Sequence, residues 1–204
     1  MGHPYYILFA GVNGAGKSTL YRTGLWETGS LGPSMPRVNS DEILQDNGWD
    51  WRSESDQMKA GRIAVRRIRQ HFEKHESFNQ ETTLTGHAIM RNIKKANEAS
   101  YRIVMFYVCV DDPAIANGRI AQRGAIGGHS IAPNTVARRY DASLSNLASA
   151  IPLCDETFLF DNTVNLELEA RFEFDELCYF NPSEPGYKWV SRVMGSMGYR
   201  EIPF

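Results

Sequence analysis

Apolar and polar positions follow two rhythms along this chain. Largely apolar runs at residues 5–10, 101–110 and 153–160 predict strands, and shorter extended segments at 36–39 and 77–81 bring the number to five. The run at 101–110 is the strongest, because nine of its ten residues are apolar or aromatic and only Arg102 is not, as burial on both faces of a sheet requires. Between the strands, apolar residues recur every three or four positions, which predicts helices. The longest, at 53–76, has Met58, Gly61, Val65, Ile68 and Phe72 on its apolar stripe and Lys59, Arg62, Arg66, Arg67 and Arg69 largely off it. Others are expected from Ser18 through Trp26, after Ser40 as a cap, at 86–99, from Asp111-Asp112-Pro113 to about Arg123, and at 134–151. Strands alternating with helices demand right-handed crossovers. The expected fold is therefore α/β: a three-layer sandwich with a mostly parallel five-stranded sheet and helices on both faces.

Past residue 160 the pattern changes. Residues 166–174 alternate apolar and charged side chains, as an edge strand or small hairpin does. Residues 186–198 read as a helix whose Trp189, Val190 and Val193 pack back on the body. One domain is expected over 1–204, with a lid at about 119–140 and a C-terminal appendage at about 162–204. No internal repeat or low-complexity tract breaks it.

Composition narrows the class without naming a task. The 204 residues are 42% hydrophobic and 23% charged with a formal net charge of -2, an ordinary globular balance with none of the basic excess of a nucleic-acid binder. No basic segment precedes the short apolar run at 5–10, which is too short to span a membrane, so a cytoplasmic protein is expected. Cys109, Cys154 and Cys178 have neither disulfide nor zinc spacing and are expected to be buried apolar thiols.

Chemistry enters at Gly11-Val12-Asn13-Gly14-Ala15-Gly16-Lys17-Ser18, which matches G-x-x-x-x-G-K-[ST] at every fixed position and sits between a strand and a helix. In that setting Asn13, Gly14, Ala15, Gly16, Lys17, Ser18 and Thr19 form a cradle for nucleotide phosphates, with Lys17 on the β- and γ-phosphates and the Ser18 hydroxyl on Mg²⁺. Catalytic groups gather outside the carboxyl ends of parallel strands. The second strand ends at Asn39-Ser40-Asp41, where Asp41 is a candidate base for an attacking hydroxyl. The third ends at Glu81-Thr82-Thr83, where Glu81 could hold water around Mg²⁺ or a substrate hydroxyl and Thr83 could bind the acceptor. Residues 119–140 contain Arg119, Arg123, His129, Arg138 and Arg139 but no acid, which suits a lid that closes over phosphates. Arg119 and Arg123 lie four apart and share one helical face. His129 is either a phosphate contact or an ordinary loop histidine.

These pieces together resemble the zeta-toxin family of P-loop kinases. The resemblance rests on the P-loop, Asn39-Ser40-Asp41-Glu42-Ile43, Glu81-Thr82-Thr83, Arg119-Ile120-Ala121-Gln122-Arg123 leading into Gly127-Gly128-His129, and Arg138-Arg139-Tyr140, across roughly residues 5–160. It implies ATP/Mg²⁺-dependent phosphorylation of a hydroxyl, which in founding members is the 3′-hydroxyl of the amino sugar of UDP-N-acetylglucosamine. It implies Lys17 as the phosphate lysine, Asp41 as the base, Glu81 and Thr83 on the acceptor side, and Arg119 or Arg123 as the first lid arginine, with His129 where founding toxins carry a second. An antitoxin-like protein is the partner it implies. The expectation is a small-molecule kinase. The competing one is a nucleotide-dependent switch acting on a protein partner through the acidic stretch 155–176, where acids outnumber bases eight to one.

Overall fold

The structure, a computed structural model, describes residues 2–27, 31–125, 133–181 and 187–199. Its strands are β1 (Tyr5–Gly11), β2 (Arg37–Val38), β3 (Phe78–Thr82), β4 (Arg102–Cys109), β5 (Glu156–Asp161), β6 (Glu167–Glu173) and β7 (Glu176–Phe180). The helices are α1 (Lys17–Thr23), α2 (Ser40–Asp46), α3 (Glu54–Lys74), α4 (His87–Glu98), α5 (Pro113–Ala125), α6 (Pro133–Ala150) and α7 (Lys188–Ser196). All seven strands join one sheet in the order β2-β3-β1-β4-β5-β6-β7. The first five are parallel, as expected, while β6 and β7 add antiparallel strands to the same sheet instead of standing apart as a hairpin. The sheet thus has seven strands where five were expected, because the edge strand or hairpin expected past residue 160 pairs with β5 and continues the sheet.

The alternation of a strand's side chains sorts the two faces of the sheet. Phe9 meets Tyr21 and Trp26, in and after α1, at centroid distances of 5.1 and 5.3 Å, and stacks on Phe106, which stacks on Phe158. Tyr6, on the other face of β1, meets Phe72 of α3 at 5.5 Å, and Tyr107 of β4 meets Trp189 of α7 at 5.9 Å and hydrogen-bonds Ser143 of α6. Helices therefore cover both faces. Residues 6–10 of β1 and 105–110 around β4 are buried, and they form the centre of the core.

Four local expectations are corrected. Helix α1 stops at Thr23, because Gly24 takes φ 72°, and does not reach Trp26. The cap of α2 is Asn39, whose side chain accepts from the Asp41 amide, and Ser40 is the first helical residue. On α3 the buried residues are Ala60, Ile68 and Phe72, whereas Met58 and Val65 are 57% and 66% exposed, so the apolar stripe is rotated from the expected one. Cys109 and Cys154 are buried, as expected, and burial pushes their thiols up to about 12; Cys178 is exposed, contrary to expectation. Among the described residues no helix is long and apolar enough to cross a membrane.

Candidate functional site

Because β2, β3, β1, β4 and β5 are parallel, their carboxyl ends lie along one edge of the sheet, and the P-loop leaves that edge from its middle strand. After β1 the chain turns through Val12–Gly16 and enters α1 at Lys17 without a side-chain cap. Gly14 and Gly16 make the turn possible, with φ of 80° and 109°, a region side chains rarely occupy. Lys17 is buried and its Nζ donates to the Gly11 and Val12 carbonyls at 3.0 and 3.1 Å, which fixes the ammonium across the loop. Asn13 and Ser18 stay accessible at the rim.

Register delivers the next group. Phe9 of β1 pairs with Glu81 of β3, so the Glu81 carboxylate comes beside the start of α1. The Ser18 hydroxyl lies 3.3 Å from both Glu81 oxygens. Arg37 holds that carboxylate from the other side, with Nη2 2.7 Å from Oε2, Nη1 3.0 Å from Asn79 Oδ1 and Nε 2.8 Å from Glu42 Oε1. Its guanidinium lies over the Tyr21 ring at 3.7 Å. Asn39 Nδ2 bridges Glu81 and Glu42 at 3.0 and 3.1 Å. Arg37 and Glu81 side chains are only 10% and 12% exposed, so this is a partly desolvated pair with its other polar atoms satisfied, the condition under which such a pair is tolerated.

Asp41 sits exposed in the first turn of α2, two residues from Asn39. Thr83 follows β3, its Oγ1 2.9 Å from Thr85 Oγ1, and is half-buried. Arg119 of α5 does not point free over the loop: its Nη2 donates to the Thr163 carbonyl at 3.2 Å. Arg123 falls in α5, but its side chain lies outside the described residues, as does His129 entirely. Among the described residues, Arg139 of α6 touches the P-loop, with Nη1 3.1 Å from Asn13 Oδ1.

Two contributors, Arg37 and Asn162, escaped the sequence reading, and a third, Arg139, was read only as one of several lid arginines. Arg139 belonged to the acid-free window but no spacing distinguished it from Arg138, which is exposed. Arg37 looked like one residue of a short extended segment. Asn162, after β5, donates from Nδ2 to the Ala15 carbonyl at 2.6 Å; the rule that parallel strands present chemistry at their carboxyl ends would have found it, applied to the fifth strand as well.

The donors present suit the group that the motif implies. A loop with two left-handed glycines, a fixed ammonium and a hydroxyl beside a carboxylate offers backbone N–H groups and a cation to phosphates, and hard oxygen donors to a divalent cation. Among the described residues no group of three or more His, Cys, Asp or Glu side chains forms a metal cluster, so a cation here would rest on Ser18, Glu81 and the nucleotide. Two cavities, of about 520 and 350 Å³, lie elsewhere: one is lined by His3, Arg102, Glu156 and Arg171 at the opposite end of the sheet, the other by Pro152, Ser196 and Tyr199. Neither is lined by the residues of the P-loop edge.

Comparison with known proteins places this geometry. The family model described as AAA domain matches residues 7–147. An uncharacterized protein of Haemophilus influenzae is 31% identical over 135 residues, covering 66% of this chain and 91% of that protein. Among solved structures, a chain of the AvrRxo1-ORF1:-ORF2 complex with ATP superposes with a TM-score of 0.66 at 14% identity, covering 99% of this chain and 66% of that one. A chain of the PezAT chromosomal toxin-antitoxin system of Streptococcus pneumoniae superposes with a TM-score of 0.58 at 13% identity, covering 100% of this chain and 81% of that one. This chain therefore spans just under two thirds of the length of its AvrRxo1 neighbour. At such identities the likeness is one of fold, and the shared fold is the one expected from the zeta-toxin resemblance.

Proposed function

The chain belongs to the AAA domain family, and from that premise we propose that it is an ATP-dependent kinase that phosphorylates a hydroxyl group of a small molecule. The observation that carries this reading is the P-loop rim, where the Ser18 hydroxyl meets a Glu81 carboxylate held by Arg37 and Asn39. Bound Mg·ATP would supply the transferable phosphoryl group and the charge that the cation neutralises. Lys17 and the amides of the loop bind and orient the phosphate chain, while Ser18 and Glu81 offer oxygen ligands for Mg²⁺. Asp41 has an exposed carboxylate that can accept the acceptor's proton at Oδ, and Thr83 lines the acceptor side. In the sequence, Arg119, Arg123 and Arg139 flank the stretch 124–133, which contains His129 and which we assign as a lid over the phosphates. UDP-N-acetylglucosamine or a related sugar nucleotide is the acceptor class we infer from the family resemblance.

The test is transfer of labelled phosphate from ATP into a metabolite extract. The wild type labels one product, and Asp41→Ala abolishes labelling while retaining Mg·ATP binding. Labelling undiminished in that variant removes Asp41 from the mechanism, and ATP hydrolysis indifferent to every extract favours a switch or NTPase instead. A protein partner belongs to the same proposal, because one of these two neighbours is the AvrRxo1-ORF1:-ORF2 pair and the other comes from a toxin-antitoxin system. The exposed acids of the segment 155–176, namely Glu167, Glu173, Asp175 and Glu176, form the surface we assign to an antitoxin-like partner.

A further inference from the structure

Beyond the residues that the AAA domain model matches, a second polar network reaches the P-loop. Asp161, the last residue of β5, is fully buried, and its carboxylate accepts from the Thr163 amide at 2.6 Å, the Thr163 hydroxyl at 3.0 Å and the Trp189 indole Nε1 at 2.8 Å. Thr163 Oγ1 in turn accepts from the Asp111 amide at 2.8 Å, and its carbonyl accepts from Arg119. The turn at 161–163 is thereby clamped from α7, from the end of β4 and from α5. Asn162 stands at its tip. Its backbone amide donates to the Cys109 carbonyl at 2.9 Å, and its side-chain amide donates to Ala15 O and lies so close to Gly16 that a Cβ there would collide with it.

We propose that Asn162 is a positioning residue for the P-loop, and that Trp189 of the C-terminal helix α7 holds it in place through Asp161. Trp189 is then a working part of the nucleotide site. The inference rests on the reading that the P-loop binds nucleotide, and it adds a dependence of that site on α7. Its logic is steric and directional. The Ala15 carbonyl is tied down by Asn162, and the planar trans peptide then turns the Gly16 amide the opposite way from that carbonyl. A cradle that grips phosphate equally in ground and transition states affects binding more than turnover.

Asn162→Ala and Trp189→Phe test it, with Val193→Ala as control, since Val193 is buried on α7 but takes no part in the network. Asn162→Ala should raise the KM for ATP about threefold to tenfold, the range of one neutral hydrogen bond, with kcat nearly unchanged. Trp189→Phe, which keeps the ring but loses the indole N–H, should shift KM in the same direction. Val193→Ala should lower the melting temperature without moving KM. Hydrogen exchange of the ligand-free protein gives a reading that needs no nucleotide: Asn162→Ala should speed exchange in the segment 12–20 and leave β1 protected. Unaltered exchange there together with an unaltered KM overturns the proposal, as does a KM rise in Val193→Ala equal to that in Trp189→Phe. A wild type that binds no ATP overturns the kinase reading, while faster exchange in Asn162→Ala would still support P-loop positioning.

Discussion

Taking away Arg37 would leave Glu81 and Glu42 as two carboxylates sharing only the Asn39 amide, with the former 12% exposed. Breaking a buried pair from one side costs about 3–5 kcal/mol because the remaining charge has lost its partner. Here Ser18 and Asn39 still donate to Glu81, so Arg37→Met should cost less, about 2–3 kcal/mol in urea unfolding. Arg37→Lys should recover under half of that. One ammonium cannot span Glu42, Asn79 and Glu81 as the planar fork does, nor lie flat on Tyr21. A loss below about 0.5 kcal/mol in Arg37→Met, the level of an ordinary surface change, would show that the cluster adds no stability. The same residue shows why parts of the site were hidden in the sequence. Arg37 meets Glu81 across 44 positions and Asn162 meets Ala15 across 147, contacts that exist only once strand order and register are set.

At the scale of elements, β6 carries the most consequential buried acid. Glu169 is 2% exposed, and burial first, then the charges of Asp161 and Glu167, push its carboxyl up to about 7, against a hydrogen bond from Asn181. Its folded pKa is thus above the unfolded value of about 4.3, so between those values the folded state holds the extra proton and stability falls as pH rises. At about 1.4 kcal/mol per pK unit, the loss across pH 5 to 8 is on the order of 2–3 kcal/mol. Glu169→Gln, which keeps the shape and loses the titration, should flatten the fall of melting temperature over that window. An unchanged pH profile would mean that Glu169 titrates normally. Elements whose signal is local were readable from the pattern: β1 and β4 announced themselves as apolar runs because both of their faces are covered. Helix α3 was placed correctly but turned about its axis, because small Ala60 carries the buried stripe while large Met58 and Val65 are left outside. Ile68→Ala should therefore cost about 2–5 kcal/mol, and Val65→Ala less than about 0.5 kcal/mol, by chemical denaturation. Equal costs would return the stripe to the position expected from spacing.

Across the whole molecule, the donor and acceptor halves of the proposed site hang on different parts of the sheet. Lys17, Ser18 and the loop belong to β1 and α1, braced by Asn162 after β5, whereas Asp41 belongs to α2 beyond β2. Binding at the first half should therefore survive loss of the second, and linkage makes this measurable without knowing the acceptor. A ligand present at 100 times its Kd stabilises the folded state by about 2.7 kcal/mol, and for a chain of this size each kcal/mol moves the melting temperature by about 2–4 °C. Mg·ATP should raise the melting temperature of the wild type by roughly 5–11 °C at that saturation. The same rise is expected in Asp41→Ala, and none in Lys17→Ala, whose loop has lost its cation. Chelating the metal with EDTA should shrink the wild-type shift, since Ser18 and Glu81 would no longer share a cation with the phosphates. If Asp41→Ala lost the shift as completely as Lys17→Ala, Asp41 would belong to nucleotide binding, and the division of the site between the two sides of β3 would fall.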